Sequence, residues 1–522
     1  MIELKFEELT LEQKLGMIFT PHWASKNCEE NFNWLIDMVK KRALGSVWIQ
    51  HDTKDAEKVL QKIREVADYP ILIFTDAENG MGEYTTGRQG PIGCTDSEEH
   101  AYAFGKALGV TARKRGYDVV CNPILDLSRV GCTRSMGSDP ERVACLAAAV
   151  IRGMHDGGVL SVCKHYPGDS CASEMADTHM MEVDCPETKE ELLERNLIPY
   201  LRLNEQGLLD GIMAGHQQFS NIDSEHPTSL SSKILDIIKE KGFEGFFITD
   251  GLFMNAIHAK YGAVDCFGYA VAAGNTFLLP YHYLNETHYN SIKTCFEKGM
   301  FTEQQLDEAV KKVLAFQKKA LELRNNQALT EEEHALARRV NKDSVFSRGV
   351  NKPLSRDGKH YFVLMVHNDT PLGVKGTVEV DTFSNNWHNP AKICEKLKTL
   401  YPNCIIKPIY EFPTPGQNGS VIAEIAAWDV DEVVFITYSE WMANSGGEKI
   451  TYRVEALIHS LQQKNRASTL IHFGNPKVLE PLAHFDKIII GGNSAESVDA
   501  CIDVLAGNLE AKGKLTCAVN FK

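Results

Sequence analysis

Short apolar runs recur along the first half of the chain, at residues 46–50, 71–75, 117–121, 159–163, 211–215, 246–249 and 275–279, with an eighth candidate at 16–20. Each is four or five residues long and is followed by helix-forming sequence. A run of that length suits a strand buried on both faces and is too short for a helix. Strands that alternate with helices pair in parallel, and this many βα units predict a (β/α)8 TIM-type barrel. Thr10 with Gln13 three residues on has the spacing of a capping box, which starts a helix ahead of the first units.

A chain of 522 residues exceeds one ordinary domain. Helix-forming sequence at 303–324 and 330–340 makes an exit from the barrel, and beyond residue 356 the pattern restarts with runs at 361–366, 405–408, 433–437, 469–473 and 487–490. The expected fold is therefore α/β, with a (β/α)8 barrel in residues 1–325, a helical linker at 326–355 and a smaller open α/β sandwich domain at 356–522. No G-x-G-x-x-G follows the first strand of that second domain, so a dinucleotide site there has no support.

The balance of 55 Lys and Arg against 70 Asp and Glu leaves a net charge of -15, which disfavours a nucleic-acid partner. A small neutral carbohydrate suits such a chain better. Residues 1–8 hold no basic segment leading into an apolar core, and no stretch approaches the roughly 18 apolar residues of a membrane span. A cytoplasmic protein without a membrane partner is expected. Fourteen cysteines without a C-x-x-C pair predict reduced thiols, with no metal and no cofactor. Oligomeric state is not readable from the sequence.

In a βα barrel the chemistry gathers at the carboxyl ends of the strands, and Asp76, Lys164, His165, His216 and Asp250 all stand at such ends. A Lys-His pair is also what a solvated strand end looks like. Further on, Asp177 and His179 sit two residues apart in a loop, where the carboxylate can fix the imidazole's tautomer and stabilise its charged form. The competing reading of that triplet is an Asx-turn beside a surface histidine. Asp250, directly behind a buried apolar run, would be costly to bury unpaired, which favours a functional role.

Four segments, taken in order, resemble the two-domain family 3 glycoside hydrolases and, within them, the β-N-acetylglucosaminidases (β-N-acetylhexosaminidases). Lys164-His165-Tyr166-Pro167-Gly168 is similar to that group's K-H-F-P-G, and Asp177-Thr178-His179 to its D-S-H. Thr133 to Pro140 is similar to R-S-F-G-S-D-P, and the stretch from Ile248 to Ile257 to S-D-D-L-x-M-x-A-I. The resemblance implies a retaining glycosidase with Asp250 as nucleophile and His179 as acid/base, oriented by Asp177. It further implies that Asp76, Arg134, Lys164 and His165 hold sugar hydroxyls, with His216 and Met254 as further pocket residues. Arg134 could instead pair with Asp139 in a structural turn, and His216 could be a satisfied strand-end histidine.

Chemically, an imidazole with an ordinary pKa of about 6.5 would stand where most retaining enzymes use a second carboxyl group. The chain departs from the family pattern where Asp76 to Gly82 lacks the usual arginine, and where the stretch from Lys164 to Asp177 is two residues longer than the common form. Both departures bear on substrate choice. A β-glucosidase, a glycoside phosphorylase of the same family and an inactive sugar-binding protein are the alternatives.

Overall fold

The computed structural model describes residues 1–23, 29–127, 133–168, 177–324, 328–368, 387–440, 448–463, 467–482 and 485–521. The chain packs as two compact units that do not follow the linear boundaries. The first comprises Met1–Tyr84, Glu98–Arg129 and Asp139–Ala337, and the second comprises Thr85–Ser97, Val130–Ser138 and Arg338–Lys522. Two excursions from the expected barrel sequence thus belong to the second unit, and the expected linker is divided between the units.

The first unit holds a curled, wholly parallel sheet of seven strands in sequence order: β1 (His22–Trp23), β2 (Ser46–Ile49), β3 (Leu72–Asp76), β4 (Val119–Cys121), β5 (Leu160–Tyr166), β6 (Gly211–Ala214) and β7 (Phe246–Thr249). Helices lie between most successive strands, as parallel pairing requires. Two isolated parallel bridges extend the pattern, from Ile248 to Phe277 and from Leu278 to Phe19. Backbone at 277–278 therefore bonds on one side to β7 and on the other to the segment that enters β1.

Six of the expected runs become the core of β2 to β7. The expected strand at 275–279 forms only those bridges, and the candidate at 16–20 is corrected. Gly16 and Met17 close the helix Leu11–Met17, whose Thr10–Gln13 capping box is formed, and the paired strand begins only at His22. The capped helix thus takes the first two residues of the apolar run. Inward residues of the strands meet ring to ring, with Phe74 at 5.2 Å from Phe277 and 6.1 Å from Phe246, and Trp48 stacked over Phe74 at 6.4 Å.

In the second unit a six-stranded sheet runs in the order β10-β9-β11-β12-β13-β8, where β8 is Phe346–Arg348, β9 His360–Val366, β10 Ile405–Tyr410, β11 Glu432–Tyr438, β12 Ala467–Phe473 and β13 Lys487–Gly491. Five strands are parallel and the edge strand β8 is antiparallel to β13. The run of buried β9 side chains, continuous from His360 to Val366, is that of a strand covered on both faces.

Candidate active site

Alternation along the strands decides which side chains reach the carboxyl edge of the first sheet. Phe74 points inward, so Asp76 two residues on does as well, and Lys164 does the same on β5. Lys164 is buried, and its ammonium donates to both oxygens of Asp76 at 2.9 and 2.8 Å, with Glu78 at 3.4 Å. The two carboxylates compensate the cost of burying the lysine side chain. Glu78 was not foreseen. No spacing rule in the loop after β3 reveals that its carboxylate turns back towards β5.

His165 follows on the same strand. Its backbone N–H donates to Asp126 Oδ1 at 3.0 Å, and its ring Nδ1 lies 2.8 Å from Asp126 Oδ2. One carboxylate thus fixes both the backbone and the tautomer of this histidine. Asp126 is a second residue missed in the sequence, where it ends an apolar stretch and has no distinguishing neighbour. The peptides Lys164–His165 and Tyr166–Pro167 are cis.

Asp177 and His179 make the compact pairing that their spacing allows. Asp177 Oδ1 accepts from the His179 backbone N–H at 2.9 Å and lies 2.8 Å from its ring Nδ1. The carboxylate is buried whereas the imidazole is 35% exposed, so the ring is presented to solvent from a fixed base. The Asx-turn and the dyad are therefore one and the same arrangement. The loop is joined to the segment after β7, because Ala256 N–H donates to the Thr178 carbonyl at 3.1 Å.

Asp250 stands directly after β7, with its backbone N–H bonded to the Ala214 carbonyl at 3.0 Å and its Oδ1 accepting from Gly251 N–H at 2.7 Å. Burial pushes its carboxyl up, and the charges of His216, His165 and His179, together with the Gly251 N–H, outweigh that and bring it down to about 2. The three histidines that converge on Asp250 come from two strand ends and one loop. His216 has both ring nitrogens occupied, Nε2 donating to the Gly251 carbonyl at 2.9 Å and Nδ1 at 2.8 Å from Ser229 Oγ. Burial lowers its pKa, and it is only 2% exposed. It braces the Asp250–Gly251 turn and has little surface left for a ligand. Met254, half-buried, is the cap position of the helix Asn255–Tyr261 and approaches Gly251.

Arg134 belongs to the second unit and is half-buried there. Asp139, the alternative partner considered for it, caps the helix Pro140–Asp156 by accepting from Arg142 N–H at 2.9 Å. Residues 169–176, which carry the lengthened part of the loop before Asp177, lie outside the described residues. Among the described residues no group of three or more His, Cys, Asp or Glu is disposed to hold a metal ion.

The carboxyl edge of the parallel sheet thus gathers Asp250, the Asp177–His179 pair and a carboxylate-bound Lys164, at the edge where βα folds place their active sites. Residues 4–316 match the profile of the Glycosyl hydrolase family 3 N terminal domain. The chain belongs to glycoside hydrolase family 3.

It is 30% identical over 241 residues to the Beta-hexosaminidase of Tolumonas auensis, a match covering 44% of this chain and 72% of that one. To the Beta-hexosaminidase of Pseudomonas aeruginosa (strain LESB58) it is 34% identical over 185 residues, covering 34% of this chain and 54% of the relative, so that match spans about half the relative's length. In fold it is similar to a glycoside hydrolase family 3 beta-N-acetylglucosaminidase from Paenibacillus sp. str. FPU-7, with a TM-score of 0.78 at 22% identity over 98% of this chain and all of that one (100%). It is equally similar to a beta-glucoside phosphorylase, with a TM-score of 0.80 at 21% identity, covering 98% and 95% of the two chains.

Proposed function

We propose that the protein is a retaining β-N-acetylhexosaminidase that removes terminal β-linked N-acetylglucosamine through a covalent glycosyl–Asp250 intermediate. The observation that carries this reading is the pairing of an Asp250 held ionised by three imidazoles with a His179 whose Nδ1 is fixed by Asp177. With Nδ1–H donated to Asp177, the ring's Nε2 is the nitrogen that gives a proton to the leaving oxygen and later takes one from the acceptor. Asp250 attacks the anomeric carbon and is displaced in the second step, which retains the configuration. Lys164 and Asp76, with His165 held by Asp126, supply the donors and acceptors for sugar hydroxyls. His216 is better placed to position Asp250 than to contact sugar.

In this reading the sheet and its two bridges form a closed (β/α)8 barrel, and the enzyme works in the cytoplasm on cell-wall or chitin-derived fragments. The relatives named Beta-hexosaminidase support the choice of substrate. The test is a panel of chromogenic β-glycosides. Preference for the β-N-acetylglucosaminide supports the reading, preference for the β-glucoside turns it to a β-glucosidase, and binding of sugar without turnover of any glycoside turns it to a binding protein.

A second reading, phosphorolysis, has one observation in its favour. The acid/base partner is an imidazole, and a neutral ring opposes an incoming phosphate anion far less than a second carboxylate would. Release of sugar 1-phosphate in the presence of inorganic phosphate would establish it, and release of free sugar alone at saturating phosphate would exclude it.

A further inference from the structure

Tyr281 follows the segment that bridges β7 to the start of the sheet, and four observations single it out. Its φ is +54°, the left-handed region that a bulky side chain rarely occupies. The residue is 51% exposed, unusual for so large an aromatic side chain. It lies against the turn that follows Asp250: a Cβ at Gly251 would come within 3.0 Å of the Tyr281 Cβ, so a glycine there leaves the space that the tyrosine fills. From below, the ring is backed by His22 at 4.5 Å between ring centres and meets Trp48 edge-on at 6.3 Å.

These supporting groups are themselves set for a polar, uncharged ligand. Burial first, and then the nearby His282, lower the His22 imidazole to about 4, so it stays neutral. The indole N–H of Trp48 is buried and has no hydrogen-bond partner among the described residues. Burial, and next the Asp76 carboxylate, push the Tyr281 phenol up to about 12, so it remains an uncharged hydroxyl close to the pair that Asp76 makes with Lys164.

Resting on the glycosidase reading above, we infer that Tyr281 is a specificity-determining residue whose ring face forms a platform for the C–H face of the bound sugar, beside Asp250 and Asp76. A left-handed backbone is the means of turning the ring across the pocket instead of into the sheet's core. An apolar ring face over a sugar's C–H face, with polar groups around the rim, is the arrangement expected of a small-molecule site. The position is not one that periodicity or spacing marks.

The experiment compares wild type with Tyr281→Ala, Tyr281→Phe and Tyr281→Gly on 4-nitrophenyl β-N-acetylglucosaminide, and measures binding of free N-acetylglucosamine and glucose by calorimetry. Loss of the ring is expected to raise KM and the sugar Kd roughly ten-fold while kcat changes less than about two-fold, the mark of lost binding rather than lost chemistry. Tyr281→Phe, which keeps the ring face, recovers KM to within about two-fold of wild type. Tyr281→Gly takes the same backbone conformation without strain, so it tests the ring even if the alanine variant folds poorly. Unchanged KM and Kd in the alanine and glycine variants would overturn the platform, and so would an equal loss in the phenylalanine variant. If wild type cleaves no N-acetylglucosaminide, the proposed function fails, whereas the sugar-binding comparison still decides the role of Tyr281.

Discussion

His216, His165 and His179 all act on Asp250, and with the Gly251 N–H they hold its carboxyl low in spite of burial. Its pKa is lowered from 3.8 to about 2, so it remains a carboxylate at any pH above that value. An acid limb of kcat/KM between about pH 4 and 7 is therefore expected to belong to groups other than Asp250, and it should be the same with glycosides that bypass leaving-group protonation, because a proton donor sets the alkaline limb instead. Asp250→Ala should abolish turnover, by at least about 10^4-fold, with an unchanged circular dichroism spectrum. His179→Ala should cost about 10^2- to 10^4-fold on poor leaving groups and much less on activated aryl glycosides, whose departure needs no proton. Equal losses on both would make His179 structural. At this scale the sequence was a partial guide. Asp76, Lys164, His165 and Asp250 stood out because each follows an apolar run, but Glu78, Asp126 and Tyr281 did not, since partner choice and a backbone angle are decided by tertiary packing.

Among the elements, the entry to β4 carries the heaviest electrostatic demand. Asp118 is fully buried just before that strand and faces Arg64 and Arg113 from two helices and Arg324 from the turn after a third, with Arg113 at 2.5 Å and Arg324 at 3.2 Å. Burial pushes the carboxyl up and the three guanidiniums outweigh it, so it titrates well below the usual range. Asp118→Asn leaves those cations facing a neutral amide and should cost about 3–5 kcal/mol in urea unfolding. Strands β2 to β7 were legible because a buried parallel strand is a short, nearly continuous apolar run. Strand β8 was not, being three half-buried or exposed residues at an edge, and β1 was missed because two residues carry no period.

For the whole molecule, two buried carboxylates, one in each unit, should contribute to the pH dependence of stability with opposite sign. In the first, buried Asp210 accepts from His155 and Lys319 at 2.6 Å each, and its pKa falls from 3.8 to about 2 despite burial. That depressed value contributes about 2 kcal/mol above pH 3.8, lost as the pH falls through 2. In the second unit Glu448 is buried, and burial raises its pKa from 4.5 to about 7 against the opposing hydrogen bonds of Thr133. A raised carboxyl contributes fully below pH 4.5 and costs about 3 kcal/mol once the pH has risen through 7. Glu448→Gln should therefore flatten the loss of stability between pH 4.5 and 7 in thermal unfolding, and an unchanged slope would assign that loss elsewhere. The interleaving of the units also has a consequence for synthesis. The excursion ending at Ser138 leaves the ribosome 200 residues before Arg338, the first residue of its main partner segment (338 - 138). At ordinary elongation rates that is a wait of roughly 10 to 40 s, during which the two early segments of the second unit have only each other to fold upon.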